Sequence, residues 1–159
     1  MKDMIKGFNP VFSKSSEILI LGSFPSVPSR VDGFYYGNKR NRFWQTLAKI
    51  FNLEPPITKE EKIDFILNNN LALWDVVESC DIKGSADANL KNYQVADLFV
   101  VLKNANIKAI ICNGKKCYDV YTKNYDLPIK VYCLPSTSPA NVSFDIQKWE
   151  DSFKEILNG

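Results

Sequence analysis

The stretch Glu17–Ser26, EILILGSFPS, decides the fold of this chain. Its first half is a short, mainly apolar run, and the glycine and proline that follow predict a buried β-strand that feeds a loop. Runs of the same kind recur at Leu71–Val77 (LALWDVV), Ile107–Cys112 (IKAIIC) and Ile129–Leu134 (IKVYCL). The sequence therefore predicts four buried strands.

The segments between these runs have the periodicity of amphipathic helices. Apolar residues recur at helical spacing within 43–51, 63–67 and 98–105, and 115–124 and 146–157 are further candidates. Thr58 and Glu61 are spaced as a capping box, which predicts where the second helix begins. Strands that alternate with helices and are apolar on both faces predict an α/β fold with a parallel sheet covered on both sides, in one domain spanning residues 1–159.

The composition excludes several classes of protein. The 159 residues are 45% apolar, with no run long enough to span a membrane and no secretory signal in the first ten residues, so we expect a cytoplasmic protein. Histidine is absent, which removes Ser–His and Cys–His nucleophile pairs and the commonest general base. The four cysteines form no C-x2-C pair, so no metal site is expected, and Cys112 and Cys133 are predicted to be reduced core residues.

Polar residues concentrate where the predicted strands end, and ligands of parallel sheets bind at that carboxyl edge. The segments concerned are Gly22–Ser26, Trp74–Asp75 and Pro135–Asn141. The stretch 33–44, GFYYGNKRNRFW, follows the first of them and is dense in aromatic, amide and cationic side chains. The net charge is only +2, but a local cluster of cations suits either phosphate contacts or a solvated surface: Arg30, Lys39, Arg40 and Arg42.

These same residues resemble the uracil-DNA glycosylase superfamily, and most closely its hypoxanthine-DNA glycosylase branch. The resemblance spans nearly the whole chain and rests on five blocks in order, which are LILGSFPS, GFYYGNKRNRFW, ALWDVVESCDIKGSADA, ICNGKKCY and LPSTSPAN. It implies a three-layer α/β/α sandwich around a central four-stranded parallel sheet. It also implies a monofunctional glycosylase that removes hypoxanthine from deoxyinosine in DNA and leaves an abasic site. DNA containing deaminated bases is the expected partner, with no cofactor, no metal and no membrane, and we expect a monomer.

The resemblance assigns the catalytic amide to Asn41. Relatives that remove uracil carry a catalytic Asp or Asn where this chain has Phe24, a departure shared with the hypoxanthine branch. An asparagine carbonyl can orient a water molecule, although it cannot accept the water's proton as a carboxylate would. Spacing alone favours a helix N-cap for Asn41. Asn38 competes for either role, and Asp32 remains a rival general base.

The resemblance also implies a pocket that receives the base after it is extruded from the DNA. Tyr36 aligns with an aromatic residue that stacks on the base, and Asp75 with a residue that reads its edge and could accept the N1–H of hypoxanthine. The alternatives are ordinary packing for Tyr36 and a turn cap or ion pair for Asp75. Backbone N–H groups of the Ser23–Phe24 turn would hydrogen-bond the leaving base. The expected substrate-binding residues are Gly22, Ser23, Phe24, Pro25, Tyr36 and Asp75.

Six further residues are expected to contact the DNA backbone, because cationic groups and hydroxyls form hydrogen bonds with phosphate oxygens. Pro135 and Pro139 would stiffen a loop that presses into the minor groove, although no large apolar wedge such as leucine occurs within 136–141. The set consists of Arg40, Arg42, Ser136, Thr137, Ser138 and Asn141. The stretch 113–116, NGKK, could start a helix near phosphate or form a turn.

Two other functions remain open at this point. A uracil or thymine mismatch glycosylase belongs to the same class, but Phe24 argues against robust uracil excision. An α/β module that binds nucleotides or DNA without catalysis would also suit a chain that lacks histidine and the first carboxylate. The block containing Lys83, Gly84, Ser85 and Asp87 matches the family without a role that the residues themselves reveal.

Overall fold

Seven strands form two separate sheets in a computed structural model that describes residues 4–24, 30, 33–81 and 92–159. In chain order they are β1 (Met4–Lys6), β2 (Ile18–Gly22), β3 (Leu71–Asp75), β4 (Val77–Asp81), β5 (Gln94–Val95), β6 (Ala109–Asn113) and β7 (Lys130–Leu134). The larger sheet is parallel, with the order β3-β2-β6-β7. The four predicted strands are confirmed. β3 begins at the predicted residue, and the other three begin one or two residues later than predicted.

The two edges of the parallel sheet differ in their cover. On the outer side of β3, the backbone of Val11 exchanges two hydrogen bonds of 2.9 Å with Leu73, so β3 is buried along its whole length. Among the described strands, β7 has a neighbour on one side only, and it leaves Lys130 and Cys133 exposed. The prediction that Cys133 is a core residue is therefore wrong, because an apolar run at a sheet edge need not be buried on both faces. Cys112, in the central strand β6, is buried as predicted.

Helices cover both faces of this sheet and confirm the predicted α/β/α sandwich. They are α1 (Phe43–Phe51), α2 (Lys59–Asn68), α3 (Phe99–Leu102), α4 (Lys115–Asn124) and α5 (Ile146–Asn158). The capping box at the start of α2 is present, with Thr58 accepting from the Glu61 N–H at 3.1 Å. α3 is shorter than the periodicity over 98–105 suggested, but Leu98, Val101 and Ala105 are still buried. None of the helices in the described part of the chain is long and apolar enough to cross a membrane.

Aromatic contacts join the helices of one layer. Phe51 of α1 meets Phe65 of α2 and Phe153 of α5 edge to face, with ring centroids 6.1 and 5.7 Å apart. Trp149 of α5 meets Phe43 in the same way at 6.4 Å. Such pairs stabilise by about 0.5–1.5 kcal/mol each beyond the burial of their area. The start of α1, which follows the predicted amide segment, is therefore fixed to the core.

The second sheet is small and antiparallel, with the order β1-β4-β5, and the sequence did not predict it. The apolar run Leu71–Val77 divides after Asp75. The next two N–H groups, of Val76 and Val77, donate to the carbonyls of Gly22 and Ser23 at 2.8 and 3.1 Å. The chain thus crosses from one sheet to the other beside the end of β2, which holds Asp75 at the carboxyl edge.

Candidate active site

Gly22 lies at the centre of the site, at the last residue of β2, paired in register with Asp75 at the end of β3. A β-carbon at position 22 would lie 2.6 Å from Oδ1 of Asp75 and 2.7 Å from the hydroxyl of Tyr36. Neither distance is compatible with a side chain, so the close approach requires glycine. The structure therefore brings together Gly22, Tyr36 and Asp75, three of the predicted substrate-binding residues.

Asp75 and Tyr36 place their polar ends inside the protein. Only 5% of Asp75 is exposed, and the Tyr36 hydroxyl is also buried. The Tyr36 backbone has φ of 53°, in the left-handed region that tyrosine rarely adopts. Such strain persists only where the surrounding structure imposes it, and it is concentrated at functional sites.

The Tyr36 ring stacks on Phe43, with centroids 3.9 Å apart and planes 20° apart. The packing alternative is therefore correct for one face of the ring. A nucleobase could stack only on the opposite face. Because Phe43 begins α1 and is itself fully buried, the ring of Tyr36 is held against a rigid support.

The turn after β2 combines a fixed backbone with a buried side chain. The carbonyls of Gly22 and Ser23 accept the Val76 and Val77 hydrogen bonds described above, which anchors the turn. Phe24 is only 7% exposed and belongs to the core. Its side chain therefore offers no polar group to a water molecule, and any contact of this residue with a base would come from its backbone. Pro25, also predicted to bind substrate, lies outside the described residues.

Asn41 lies two residues before Phe43, the first residue of α1, and is half-buried. Its Oδ1 accepts the N–H of Phe43 at 2.9 Å, but the N-cap of α1 is Arg42, so the N-cap position that spacing favoured for Asn41 is wrong by one residue. An amide oxygen has two lone pairs, so this bond leaves one for a further donor. Asn38 has a similar local role, because its Oδ1 accepts the N–H of Arg40 at 3.0 Å and its carbonyl accepts the N–H of Asn41. The rival base Asp32 lies outside the described residues, as do Lys83, Gly84, Ser85 and Asp87.

The segment 135–141, here called the serine loop, is attached to the end of β6. Asn113 donates from Nδ2 to Oγ1 of Thr137 and accepts the Thr137 N–H at Oδ1, both at 3.0 Å. Thr137 is completely buried, so the prediction that its hydroxyl binds phosphate is corrected to a structural role. Ser136 and Ser138 differ, because their Oγ atoms accept backbone N–H groups and each keeps its own O–H to donate.

Arg42, which the sequence suggested as a phosphate contact, makes several contacts within the protein. Its Nη1 donates to the carbonyls of Ser138 and Asn141 at 3.0 and 3.1 Å, and its guanidinium lies 5.1 Å from the centre of the Phe144 ring. Its backbone N–H donates to the carbonyl of Thr137. We call these contacts the Arg42 clamp. The positive charge is directed inward to peptide dipoles and an aromatic face, so it holds the serine loop beside the Asn41 segment.

Two other predicted DNA contacts have contrasting surroundings. Asn141 donates from Nδ2 to the carbonyl of Ser136 at 3.0 Å, which makes its amide part of the serine loop's internal structure. Arg40 is exposed. Lys115, at the start of α4, is paired with Asp119 at 2.9 Å, and this pairing raises the pKa of the lysine. Of the cations that the sequence singled out, Arg40 is thus better placed for phosphate than Arg42 or Lys115.

Sequence reasoning missed two groups that shape the site. The hydroxyl of Tyr35 donates to the carbonyl of Asn9 at 2.8 Å, and burial, with smaller contributions from Asp75 and Tyr36, holds its pKa far above the usual value. Tyr35 is thus a neutral donor that fixes the aromatic segment. The sequence placed Asn113 only in a stretch that could start a helix near phosphate or form a turn, and the signal that it binds the serine loop lies in the tertiary structure. Across the described ranges, no cluster of Cys, Asp and Glu could hold a metal ion.

Comparisons with known proteins agree over almost the full length. The family model described as the uracil DNA glycosylase superfamily matches residues 10–158. A hypoxanthine DNA glycosylase of Methanosarcina barkeri is 32% identical over 94% of this chain and 98% of its own length. A second hypoxanthine DNA glycosylase, from Methanosarcina acetivorans, is 34% identical over 95% and 99%. A solution NMR structure from M. acetivorans, described as a candidate uracil DNA glycosylase, superposes with a TM-score of 0.83 at 28% identity and covers 97% of this chain and 99% of its own.

Proposed function

The chain belongs to the uracil DNA glycosylase superfamily, and from this premise we propose that it hydrolyses the N-glycosidic bond of deoxyinosine in DNA. The reaction releases hypoxanthine and leaves an abasic site. We propose further that the protein works as a cytoplasmic monomer without a metal or cofactor. The observation that carries the proposal is the convergence of Asp75 and Tyr36 on Gly22 at the carboxyl edge, with the side chain of Phe24 turned into the core.

The buried Asp75 carboxylate supports recognition of hypoxanthine over adenine. Hypoxanthine carries a hydrogen on N1, which a carboxylate oxygen can accept, whereas N1 of adenine is itself an acceptor. With adenine in the pocket, N1 and the carboxylate would be two acceptors facing each other without a hydrogen bond, and the free energy spent on removing both from water would not be regained. A site of this kind therefore discriminates strongly between hypoxanthine and adenine. Stacking of the base on the Tyr36 ring, on the side opposite Phe43, would typically contribute about 1–3 kcal/mol.

Asn41 is proposed to orient the attacking water. The lone pair of Oδ1 that does not accept from Phe43 can accept from a water molecule, so the helix bond and the catalytic role are compatible. An amide does not take the proton, and catalysis then depends on orientation and on stabilisation of the charge that leaves with the base. We assign that stabilisation to backbone N–H groups of the Ser23–Phe24 turn.

DNA binding is proposed for the surface around the serine loop. Ser136 and Ser138 each keep a hydroxyl proton that a phosphate oxygen can accept, and the exposed Arg40 adds a positive charge on the same segment as Asn41. The formal net charge of +2 means that these local contacts, rather than the total charge, would steer the DNA.

The test is an excision assay with labelled duplexes that carry inosine, uracil or a G·T mismatch. The purified protein is incubated with each duplex, the released base is identified by chromatography, and abasic sites are cleaved with alkali. We expect hypoxanthine release from the inosine duplex, strand breaks only after alkali, and the same rate in EDTA. Release of uracil alone would replace the proposed substrate, and binding without release of any base would refute catalysis.

A further inference from the structure

A cavity of about 210 Å³ lies beside β3, where the small antiparallel sheet meets α3 and the segment 8–10. Most small-molecule sites are larger, at about 300–1,000 Å³, so this cavity suits one large side chain rather than a cofactor. Aromatic, apolar and charged residues line it, among them Lys6, Phe8, Trp74, Glu78, Asp97 and Val100. We call it the Trp74 pocket.

The walls of the Trp74 pocket are held in place from within the protein. The indole Nε1 of Trp74 donates to the carbonyl of Phe8 at 3.2 Å, and the Phe8 ring meets Tyr35 edge to face, with centroids 5.1 Å apart. Oδ1 of Asp97 accepts the N–H of Phe99 at 3.1 Å, which fixes the start of α3. The pocket is therefore preorganised, and a ligand that enters it would order few protein groups.

The charges of the Trp74 pocket favour a cationic ligand. Glu78 and Asp97 supply two carboxylates against the single ammonium group of Lys6, although the whole chain carries a formal net charge of +2. No salt bridge among the described residues neutralises Glu78 or Asp97. An excess of negative charge repels phosphate, so this surface does not suit the DNA backbone.

Two adjacent apolar side chains are exposed next to the pocket. Phe99 is 60% and Val100 37% exposed, and Val100 also lines the pocket, whereas Leu98 and Val101 of the same segment are buried. Single exposed hydrophobic residues are common on protein surfaces. An exposed pair beside an aromatic pocket is instead the composition of a protein–protein contact, in which aromatic and arginine side chains are enriched.

We propose that the Trp74 pocket binds an arginine side chain of a partner protein, and that an apolar residue of the same partner segment packs on Phe99. A guanidinium stacks on aromatic rings, forms paired hydrogen bonds with carboxylates and is less strongly hydrated than the ammonium group of lysine. Such buried anchors supply most of the binding free energy of an interface.

This inference goes beyond the proposed function and does not depend on it. Trp74 and Asp75 are successive residues of β3, and successive side chains of a strand point to opposite faces of the sheet. The partner segment and a DNA substrate can therefore be bound at the same time.

The experiment is an NMR titration of the 15N-labelled protein with two blocked tripeptides. One is acetyl-Leu-Arg-Leu-amide, and the other replaces arginine with citrulline, which has nearly the same shape and no charge. We expect the arginine peptide to shift the indole N–H signal of Trp74 and the backbone signals of residues 97–100. It should bind about fivefold more tightly than the citrulline peptide, because only the charged side chain is attracted by the carboxylates.

Three charge variants assign the attraction to the pocket. Glu78→Gln and Asp97→Asn should each weaken binding of the arginine peptide about threefold and leave the citrulline peptide unaffected. Asp97→Asn keeps an oxygen that can accept the N–H of Phe99. Glu155→Gln is the matched control, because it removes an exposed carboxylate that is paired with Lys130 of β7, at the opposite end of the sheet order from β3. It should leave the affinity unchanged, and all three variants should excise hypoxanthine at the unmodified rate.

Several results would overturn the inference. Equal affinities for the two peptides would reduce the pocket to an apolar contact, and an unshifted Trp74 indole signal would remove the pocket as the binding site. A loss in Glu155→Gln as large as that in Glu78→Gln would show attraction to the total charge of the protein. In sedimentation of the protein alone, a dimer that Phe99→Ser dissociates would assign the surface to a second copy of this chain instead.

Discussion

Replacing Asn41 should separate a structural hydrogen bond from a catalytic one. Asn41→Ala removes the acceptor for the Phe43 N–H at 2.9 Å, and loss of such a bond at a helix start destabilises a protein by about 1 kcal/mol. For a chain of this size that corresponds to a fall in Tm of about 2–4 °C. The rate of excision should fall far more, by about a hundredfold, if the same oxygen orients the water.

Two further variants assign these effects. Asn41→Asp keeps an oxygen acceptor for Phe43, so its Tm should stay close to that of the unmodified protein, and its carboxylate can also accept the water's proton. We therefore expect it to retain excision. Asn38→Ala is the matched control, because it removes the comparable 3.0 Å bond to the Arg40 N–H. It should lower stability without the large loss of rate.

The assay is single-turnover excision at saturating inosine duplex, with thermal unfolding of each variant alongside. An Asn41→Ala protein with lowered Tm and an unmodified rate would show that the residue only starts the helix. A hundredfold loss in Asn38→Ala instead would transfer the catalytic role to that amide.

Three other perturbations test the site. Gly22→Ala should abolish excision and destabilise the fold by about 1–3 kcal/mol, measured by denaturant unfolding, because its β-carbon would meet two buried polar atoms within 2.7 Å. Arg40→Ala should lower the slope of the logarithm of the DNA-binding constant against the logarithm of salt concentration by about 1. Arg42→Ala should leave that slope unchanged but slow excision from bound duplex. Equal salt slopes in the two variants would contradict the Arg42 clamp. Asn113→Ala should cost about 1–3 kcal/mol per buried group that it leaves unpaired on Thr137, and a variant with unaltered Tm would argue that the serine loop is anchored elsewhere.

The parallel sheet could be predicted because each of its strands is a short, mainly apolar run, and the carboxyl ends of parallel strands meet at one edge. Gly22 and Asp75 were placed together by that rule, and Tyr36 by the family resemblance. The second sheet could not be foreseen. The run Leu71–Val77 is apolar except for Asp75, and its division after that residue depends on hydrogen bonds to Gly22 and Ser23 that only the folded chain provides.

The roles of polar residues were the hardest to predict. Arg42 and Thr137 have the composition of a phosphate site, and no local pattern distinguishes them from Arg40 and Ser138. What separates them is tertiary: Thr137 faces Asn113, and Arg42 faces the carbonyls of the serine loop. The prediction for Cys133 was wrong for a similar reason, because its run is mainly apolar but β7 is the last of the described strands in the sheet order.

In the Arg42 clamp the guanidinium donates to carbonyl oxygens rather than to carboxylates, and this determines how excision should depend on salt concentration. Short bonds from a cation to partly buried peptide dipoles are weakly affected by dissolved salt, whereas attraction to phosphates is strongly weakened. As the salt concentration rises, a smaller fraction of the DNA should be bound by the protein, but the rate of base excision within each complex should stay the same.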